Sequence, residues 1–289
     1  MKYGIFYEYW EKDWGGDYRK YAAKIAELGF GCLEVGAGDL LDMSKDELRE
    51  LKRIGDGLGI SYSANIGPAK EYDVGSREAS VRKKGIRFLE DIMDRMTVLG
   101  SDKLVGVQYS FWPYDFEDLD KEGLWARSAE SVRTLGKHAG ELGITMCLEV
   151  VNRFETILLN TAEEGVRYCE DVNCPNVKLL LDTFHMNIEE DDIPSAIRLA
   201  GRHLGHLHVG ENNRKLPGQG ISTLDWRLIG ESLHDIAYDG AVVMEPFITA
   251  GGSIAKDIKV WRDLGGSADE STKDEEARIA LRFLKEHIR

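Results

Sequence analysis

Short apolar runs alternate with longer amphipathic stretches from one end of this chain to the other. The short runs are rich in β-branched and aromatic residues, which favours strands. Eight of them are found, at residues 3–7, 32–36, 61–66, 104–108, 145–150, 177–182, 204–209 and 241–247. Several, notably those at 177–181 and 241–244, are apolar on consecutive residues, which is typical of strands covered on both faces of a sheet.

The longer stretches carry apolar residues at helical spacing. They predict helices at residues 17–28, 45–58, 77–99, 124–142, 161–171, 193–200, 224–236 and 274–287. Ser44 followed by Glu47 is the pattern of a capping box at the start of the second helix. Gly29, Gly100 and Gly143 each end a helix shortly before a strand, as expected at such junctions.

Eight strands alternating with helices predict a parallel sheet, and eight such units in 289 residues match the size of a (β/α)8 barrel. We therefore predict an α/β fold, a (β/α)8 TIM barrel, forming a single domain over residues 1–289 without a linker. A doubly wound open sheet is the alternative. Such a sheet more often has a Gly-rich phosphate turn after its first strand, whereas Glu8, Tyr9 and Trp10 follow here.

The charge balance narrows the classes of partner. With 37 basic and 51 acidic residues the net charge is −14, which argues against a nucleic-acid backbone or an anionic membrane surface as the main partner. No apolar run approaches the roughly 20 residues of a membrane span, and the N-terminus does not resemble a signal peptide. We therefore expect a cytoplasmic protein, with its four cysteines as free thiols.

Polar residues close four neighbouring strands at the end where a barrel carries its active site. They are Glu149, Asp182, His208 and Glu245. A set of oxygen ligands with one imidazole suits a divalent ion such as Mn²⁺, Co²⁺ or Mg²⁺. Each acid alone could equally pair with a Lys or Arg at the rim, but four together favour the metal. His206 is expected to be a buried, hydrogen-bonded histidine one layer below His208.

Four segments carry a resemblance to a known family. They are CLEVVNRFE (147–155), LLLDTFHMNIEED (179–191), GHLHVGENNRKLPGQG (205–220) and VVMEPF (242–247). They resemble the ketose 3-epimerases, the D-tagatose 3-epimerase and D-psicose (D-allulose) 3-epimerase family within the xylose-isomerase-like barrels. The likeness covers essentially the whole chain and is strongest to D-psicose 3-epimerases of clostridial type.

The resemblance implies an isomerase that epimerises free ketohexoses at C3 through a cis-enediolate, converting D-fructose to D-psicose, with D-tagatose to D-sorbose as a second pair. It implies one Mn²⁺ or Co²⁺ per subunit, held by Glu149, Asp182, His208 and Glu245. Glu149 and Glu245 would also be the acid/base pair. Family contacts to the O1–O3 end of the sugar fall on Glu155, His185 and Arg214. A homo-oligomer, dimer or tetramer, is also implied.

Substrate preference is where this sequence departs from the family pattern. Phe6 stands where many relatives have Tyr, and Ile66 lies in a second variable segment, both in the wall near the O4–O6 end of the sugar. Trp14, Trp112 and Phe247 are candidates for the same apolar wall, although aromatic residues near barrel loops more often serve packing. The preferred ketose therefore stays open.

Each of the three sugar contacts has a simpler interpretation. Glu155 could be an exposed ion pair with Arg153, Arg214 a solvated loop arginine, and His185 a helix cap. Asn152 and Glu211 are candidates for orienting the metal ligands.

Two other functions compete. An aldose–ketose isomerase of the same superfamily would move a proton between C1 and C2, and a sugar-binding barrel would have no turnover. A nuclease of this superfamily is a poor match, because the chain has only 7 His and a charge of −14.

Overall fold

Eight parallel strands close into a barrel in the computed structural model, which describes residues 1–288. They are β1 Lys2–Phe6, β2 Cys32–Gly36, β3 Ser61–Ile66, β4 Lys103–Gly106, β5 Thr145–Val150, β6 Val177–Asp182, β7 Leu204–Val209 and β8 Ala241–Met244. Each strand pairs with the next in the chain, and β8 pairs with β1. The predicted (β/α)8 barrel is confirmed, and the open-sheet alternative is wrong.

Ten α-helices surround or cap this barrel within the described residues. They are α1 Tyr18–Leu28, α2 Lys45–Leu58, α3 Ala79–Leu99, α4 Lys121–Glu141, α5 Ala162–Val172, α6 Thr183–Glu189, α7 Ile193–Ala200, α8 Trp226–Asp235, α9 Gly252–Ile258 and α10 Glu270–His287. All eight predicted helices are present, and the capping box of Ser44 and Glu47 is confirmed. The short helices α6 and α9 were not predicted, because seven residues carry too little helical period to be recognised.

Three strands are shorter at their C-terminal ends than the sequence predicts. β1 ends at Phe6 because Tyr7–Trp10 forms a 3₁₀ turn. β4 ends at Gly106, where φ is +106° and a Cβ atom would lie 2.5 Å from the carbonyl oxygen of Ile66, so only glycine fits. β8 ends at Met244, since Pro246 has no N–H to continue the ladder. These early ends leave irregular backbone at the top of the barrel.

The register of neighbouring strands brings the candidate ligands to one level. Asp182 on β6 pairs with His208 on β7. Because side chains alternate along a strand, Cys147 lies one layer below Glu149 and His206 one layer below His208. Val105, Cys147 and Leu180 form a small buried cluster of their own. Part of the barrel interior below the polar ends of the strands is therefore apolar.

All four cysteines are free thiols, as predicted. Within residues 1–288, no helix combines the length and the apolar character needed to cross a membrane.

Candidate active site

The structure brings four buried side chains from the ends of β5, β6, β7 and β8 into one cluster. Glu149, Asp182, His208 and Glu245 each offer a ligand atom, and these atoms all lie within 4.8 Å of one another. Glu245 follows β8 directly, with its backbone N–H donating to Val209 O at 3.2 Å. The four residues that close these strands in the sequence therefore share one site.

His208 points its two ring nitrogens at different partners. Nδ1 lies 3.2 Å from Glu245 Oε1 and 3.5 Å from Glu149 Oε1, and it has no hydrogen-bond partner among the described residues. Nε2 lies 2.8 Å from Glu34 Oε1. Burial would lower the pKa of His208, but Glu245 and Glu34 together hold that pKa well above its usual range.

Negative charge crowds the cluster. Burial, together with the neighbouring Glu245, raises the pKa of Glu149 to about 8. Three carboxylates and an imidazole nitrogen without a partner, all facing one point, need a positive charge between them. The absence of thiolates from the set and its mostly oxygen donors suit a hard or borderline divalent cation. The residues therefore fit the metal that the sequence predicts.

Arg214 is buried beside the cluster rather than solvated. Its Nη1 donates to Asp182 Oδ2 and to Glu245 Oε2, both at 2.9 Å. The guanidinium carbon lies 3.9 Å from the ring centroid of Phe184 and 5.2 Å from that of Phe247. A positive φ of 68° at Arg214 turns the chain so that the side chain points inward. The loop following β7 thus delivers a fixed guanidinium to the site.

Glu155 and His185 are joined through Asn152. Glu155 Oε2 accepts from Trp112 Nε1 at 2.9 Å, and Oε1 accepts from Asn152 Nδ2 at 3.0 Å. The backbone N–H of Asn152 donates to His185 Nδ1 at 3.2 Å, and Arg214 Nη2 lies 3.2 Å from the other ring nitrogen of His185, Nε2. That Nε2 lies 3.7 Å from Glu149 Oε1. Both side chains therefore face the cluster.

The ionisation of these two side chains differs. Burial lowers the pKa of His185 to about 4, so the ring is neutral at pH 7. Burial alone would raise the pKa of Glu155, but His185, Arg214 and Trp112 hold it below its ordinary value. The exposed ion pair suggested for Glu155 is wrong, because Arg153 pairs with Glu189 instead, at 2.8 Å. His185 lies inside α6 and not at its cap.

A cavity of about 270 Å³ opens above the cluster, at the C-terminal ends of the strands. All seven predicted sugar contacts line it, namely Phe6, Trp14, Trp112, Glu155, His185, Arg214 and Phe247. Trp14 and Trp112 meet edge to face with ring centroids 6.2 Å apart. Trp14 is 40% exposed and donates from Nε1 to Asp257 Oδ2 at 2.7 Å, so it lies at the mouth. The lining of the cavity therefore combines aromatic side chains with charged ones that contact them.

Two buried acids near the cluster were not predicted. Glu34 contacts His208, and the only available signal was the repeat of CLEV at 32–35 and 147–150, in which Glu34 and Glu149 are the corresponding residues. Glu8 lines the cavity, and its Oε2 has no hydrogen-bond partner within residues 1–288. Burial and the nearby Glu245 and Glu34 raise the pKa of Glu8 well above its usual range, which favours the neutral acid.

The expectation that Glu211 orients a metal ligand is wrong. Its carboxylate accepts from the backbone N–H of Gly218 at 2.7 Å, from Ser222 Oγ at 2.6 Å and from Trp226 Nε1 at 3.1 Å. Glu211 therefore holds the long loop after β7, the loop that carries Arg214. Asn152 orients Glu155 and His185 instead of the four cluster residues.

The chain is similar to proteins of one family over nearly its full length. A family model described as "Xylose isomerase-like TIM barrel" matches residues 22–286. The D-psicose 3-epimerase of Ruminiclostridium cellulolyticum is 49% identical, over 99% of this chain and 97% of that protein. The D-psicose 3-epimerase of Agrobacterium fabrum is 46% identical, over 99% of this chain and 98% of that protein.

A solved structure supports the same family. The structure of the D-psicose 3-epimerase with D-tagatose from Clostridium cellulolyticum H10 superposes with a TM-score of 0.98 at 47% identity, covering 100% of this chain and 99% of that chain. The resemblance noted in the sequence is thereby confirmed. The chain belongs to the ketose 3-epimerase family of the xylose isomerase-like TIM barrels.

Proposed function

We propose that this enzyme epimerises free ketohexoses at C3, interconverting D-fructose and D-psicose, with D-tagatose and D-sorbose as a second pair. The observation that carries the proposal is the convergence of Glu149 and Glu245 with Asp182 and His208 below one cavity. Support comes from the relatives, which are named D-psicose 3-epimerases, and from the solved relative that contains D-tagatose.

Epimerisation at C3 removes a proton next to a carbonyl and returns one to the opposite face. This requires a proton-transfer group on each face of the sugar. Glu149 lies one residue before the end of β5 and Glu245 follows β8, three strands further around the barrel, and both line the cavity. We assign the two proton transfers to these carboxylates, one for each face of C3.

A divalent ion held by Glu149, Asp182, His208 and Glu245 would act as a Lewis acid toward the negative charge that develops on the sugar oxygens. We propose Mn²⁺ or Co²⁺, one per subunit. The donor set supports either ion, because carboxylate oxygens and one imidazole are suitable ligands for both. Titration of EDTA-treated protein with each metal by calorimetry tests this part, and an activity that EDTA does not remove would contradict it.

Three further side chains are assigned to the O1–O3 end of the sugar. The second guanidinium nitrogen of Arg214, which lies 3.2 Å from His185 Nε2, is a donor that suits a carbonyl or an enediolate oxygen, and His185 lines the cavity beside it. The carboxylate of Glu155, fixed by Trp112 and Asn152, accepts from a hydroxyl. Phe6, Trp14 and Phe247 would exclude water from the remaining carbons.

Product analysis in D₂O tests the reaction itself. EDTA-treated protein is supplied with Mn²⁺ or Co²⁺ and incubated in parallel with D-fructose, D-tagatose and D-psicose. We expect D-psicose from D-fructose, with deuterium at C3 of the product. An aldose carrying deuterium at C2 would identify an aldose–ketose isomerase, and binding without turnover would identify a sugar-binding barrel.

We also propose a homo-oligomer, a dimer or tetramer. Trp14, Phe154 and Trp261 lie in loops after three different strands, on the face that carries the cavity, and are 40%, 63% and 73% exposed. Large apolar side chains exposed on one face are typical of an interaction surface. Light scattering gives the mass in solution, and a monomer at micromolar concentration would contradict the proposal.

A further inference from the structure

Glu34 lies inside the barrel on the far side of His208 from the other ligands. It is the third residue of β2 and is 0% exposed. Its Oε1 lies 2.8 Å from His208 Nε2, while His208 Nδ1 faces Glu149 and Glu245. The imidazole ring therefore separates Glu34 from the metal-ligand cluster, and Glu34 is not placed as a fifth ligand.

Four polar groups surround this one carboxylate. Ser63 Oγ donates to Oε2 at 2.7 Å, and His206 Nε2 lies 3.1 Å from the same oxygen. Asn65 Nδ2 donates to Oε1 at 3.0 Å, beside His208 Nε2. No Lys or Arg in the described part of the chain forms an ion pair with Glu34. This buried carboxylate is therefore stabilised by the hydrogen bonds from Ser63 and Asn65 and by the ring of His208.

We propose that Glu34 is a positioning residue for the metal centre, which accepts the Nε2–H of His208 and so fixes the tautomer whose Nδ1 lone pair faces Glu149, Asp182 and Glu245. The inference rests on the metal-binding part of the proposed function. A neutral imidazole carries one proton, so a proton held on Nε2 leaves Nδ1 free to ligate. A carboxylate in this position also increases the basicity of the ligating nitrogen.

The network around Glu34 reaches a second ligand as well. Asn65, which donates to Glu34, has its Nδ2 3.5 Å from Glu245 Oε1 and lines the cavity. Asn65 is next but one to Ser63 on β3, so both donors come from the same face of one strand. A single buried carboxylate thereby fixes the ring of His208 and, through Asn65, the position of Glu245.

Two variants separate this role from simple packing. Glu34→Gln keeps the size of the side chain but removes its charge and replaces one acceptor oxygen with a donor. Ser63→Ala removes one donor to the same carboxylate, at Oε2, and leaves Oε1 for His208. We expect E34Q to weaken Mn²⁺ binding by about 10–100-fold, and S63A by less than about threefold, as measured by calorimetry.

An unchanged dissociation constant for Mn²⁺ in E34Q overturns the inference while leaving the proposed function intact. A lower thermal stability with unchanged Mn²⁺ binding would mean a purely structural role. Wild-type protein that binds neither Mn²⁺ nor Co²⁺ would overturn both proposals.

If E34Q does not fold, the tautomer of His208 can be tested in the wild-type protein. Proton NMR of the Co²⁺-loaded enzyme should show one hyperfine-shifted imidazole N–H, because His208 is the only imidazole in the ligand set. That proton should exchange slowly with D₂O, since it is hydrogen-bonded to a buried carboxylate. The absence of this signal would overturn the inference.

Discussion

Arg214 occupies the position in which it competes with a divalent cation. Oδ1 of Asp182 accepts from the backbone N–H of Phe184 at 2.8 Å, so Oδ2 is the oxygen left for a metal. Arg214 Nη1 donates to that Oδ2 and to Glu245 Oε2, both at 2.9 Å. Without a metal, the guanidinium therefore neutralises two carboxylates that are 1% and 6% exposed. With a metal bound, part of this neutralisation is redundant.

Arg214→Met removes the charge while keeping an apolar stem against Phe184 and Phe247. Breaking a buried ion pair by removing one partner costs about 3–5 kcal/mol. For 289 residues at about 2.1 cal/mol/K each, the entropy of unfolding is roughly 0.6 kcal/mol/K. We therefore expect the Tm of the metal-free variant to fall by roughly 5–8 °C.

In Mn²⁺-saturated protein the fall in Tm should be clearly smaller, because the ion supplies the missing charge. If the substitution destabilises the Mn²⁺-bound protein less than the metal-free protein, the thermodynamic cycle requires the variant to bind Mn²⁺ more tightly. Each 1.4 kcal/mol of this difference lowers the dissociation constant about tenfold. We expect Mn²⁺ to bind R214M at least about tenfold more tightly than wild type.

Scanning calorimetry with and without Mn²⁺, and titration calorimetry, measure these quantities. Arg214→Lys is the control, because it keeps the charge but not the planar fork, and its Tm should lie in between. If R214M lowers the Tm equally with and without Mn²⁺, or binds Mn²⁺ more weakly than wild type, Arg214 does not compete with the cation.

Three further predictions concern the same site. Glu149→Gln and Glu245→Gln should each lower kcat by about 10²–10⁴ in a D-fructose assay, and full turnover in either would contradict the two-base assignment. In metal-free protein the folded pKa of Glu149 is about 8 against an ordinary 4.5, so the stabilisation it contributes is complete below pH 4.5 and is lost as pH rises through 8. Urea unfolding at several pH values should show this fall in the free energy of unfolding, and bound Mn²⁺ should abolish it. A free energy of unfolding that does not change with pH in the metal-free protein would contradict the prediction. Trp112→Phe removes the 2.9 Å hydrogen bond to Glu155, which is worth about 1.5–3 kcal/mol, and should raise KM more than it lowers kcat. Trp125→Phe, whose indole N–H donates to Asp171 at 2.8 Å and which does not line the cavity, is the matched control and should leave KM nearly unchanged.

The sequence revealed those site residues that stand where an apolar run meets a polar side chain. Asp182 ends β6 in this way, and Glu149 and His208 each lie one position before the end of β5 and β7. Since the carboxyl ends of parallel strands share one edge of a barrel, their convergence followed from the fold alone. The strand pattern was therefore sufficient to predict that these candidate metal ligands lie close together.

Residues whose role depends on barrel closure or loop conformation were harder to predict. Glu34 lies in the middle of β2, and its histidine partners lie on β7, which only the closed barrel brings opposite. Glu211 directly follows Gly210 after β7, yet the turn directs it into its own loop. The inward direction of Arg214 depends on a positive φ that the sequence does not encode locally, since no glycine stands there. The alternation of apolar and polar residues along a strand and the spacing of motifs do not predict such contacts.

The two oxygens of Asp182 serve different parts of the molecule. Oδ1 caps α6, the helix that carries His185, and Oδ2 faces the cation site. Asn at this position would keep the cap but lose the charge, whereas Glu would keep the charge but extend past the cap by one methylene. Substitution of Asp182 is thus limited by two requirements, the cap of α6 and the negative charge in the cluster. In a redesign of this barrel for another sugar, Asp182 is therefore the candidate ligand to leave untouched.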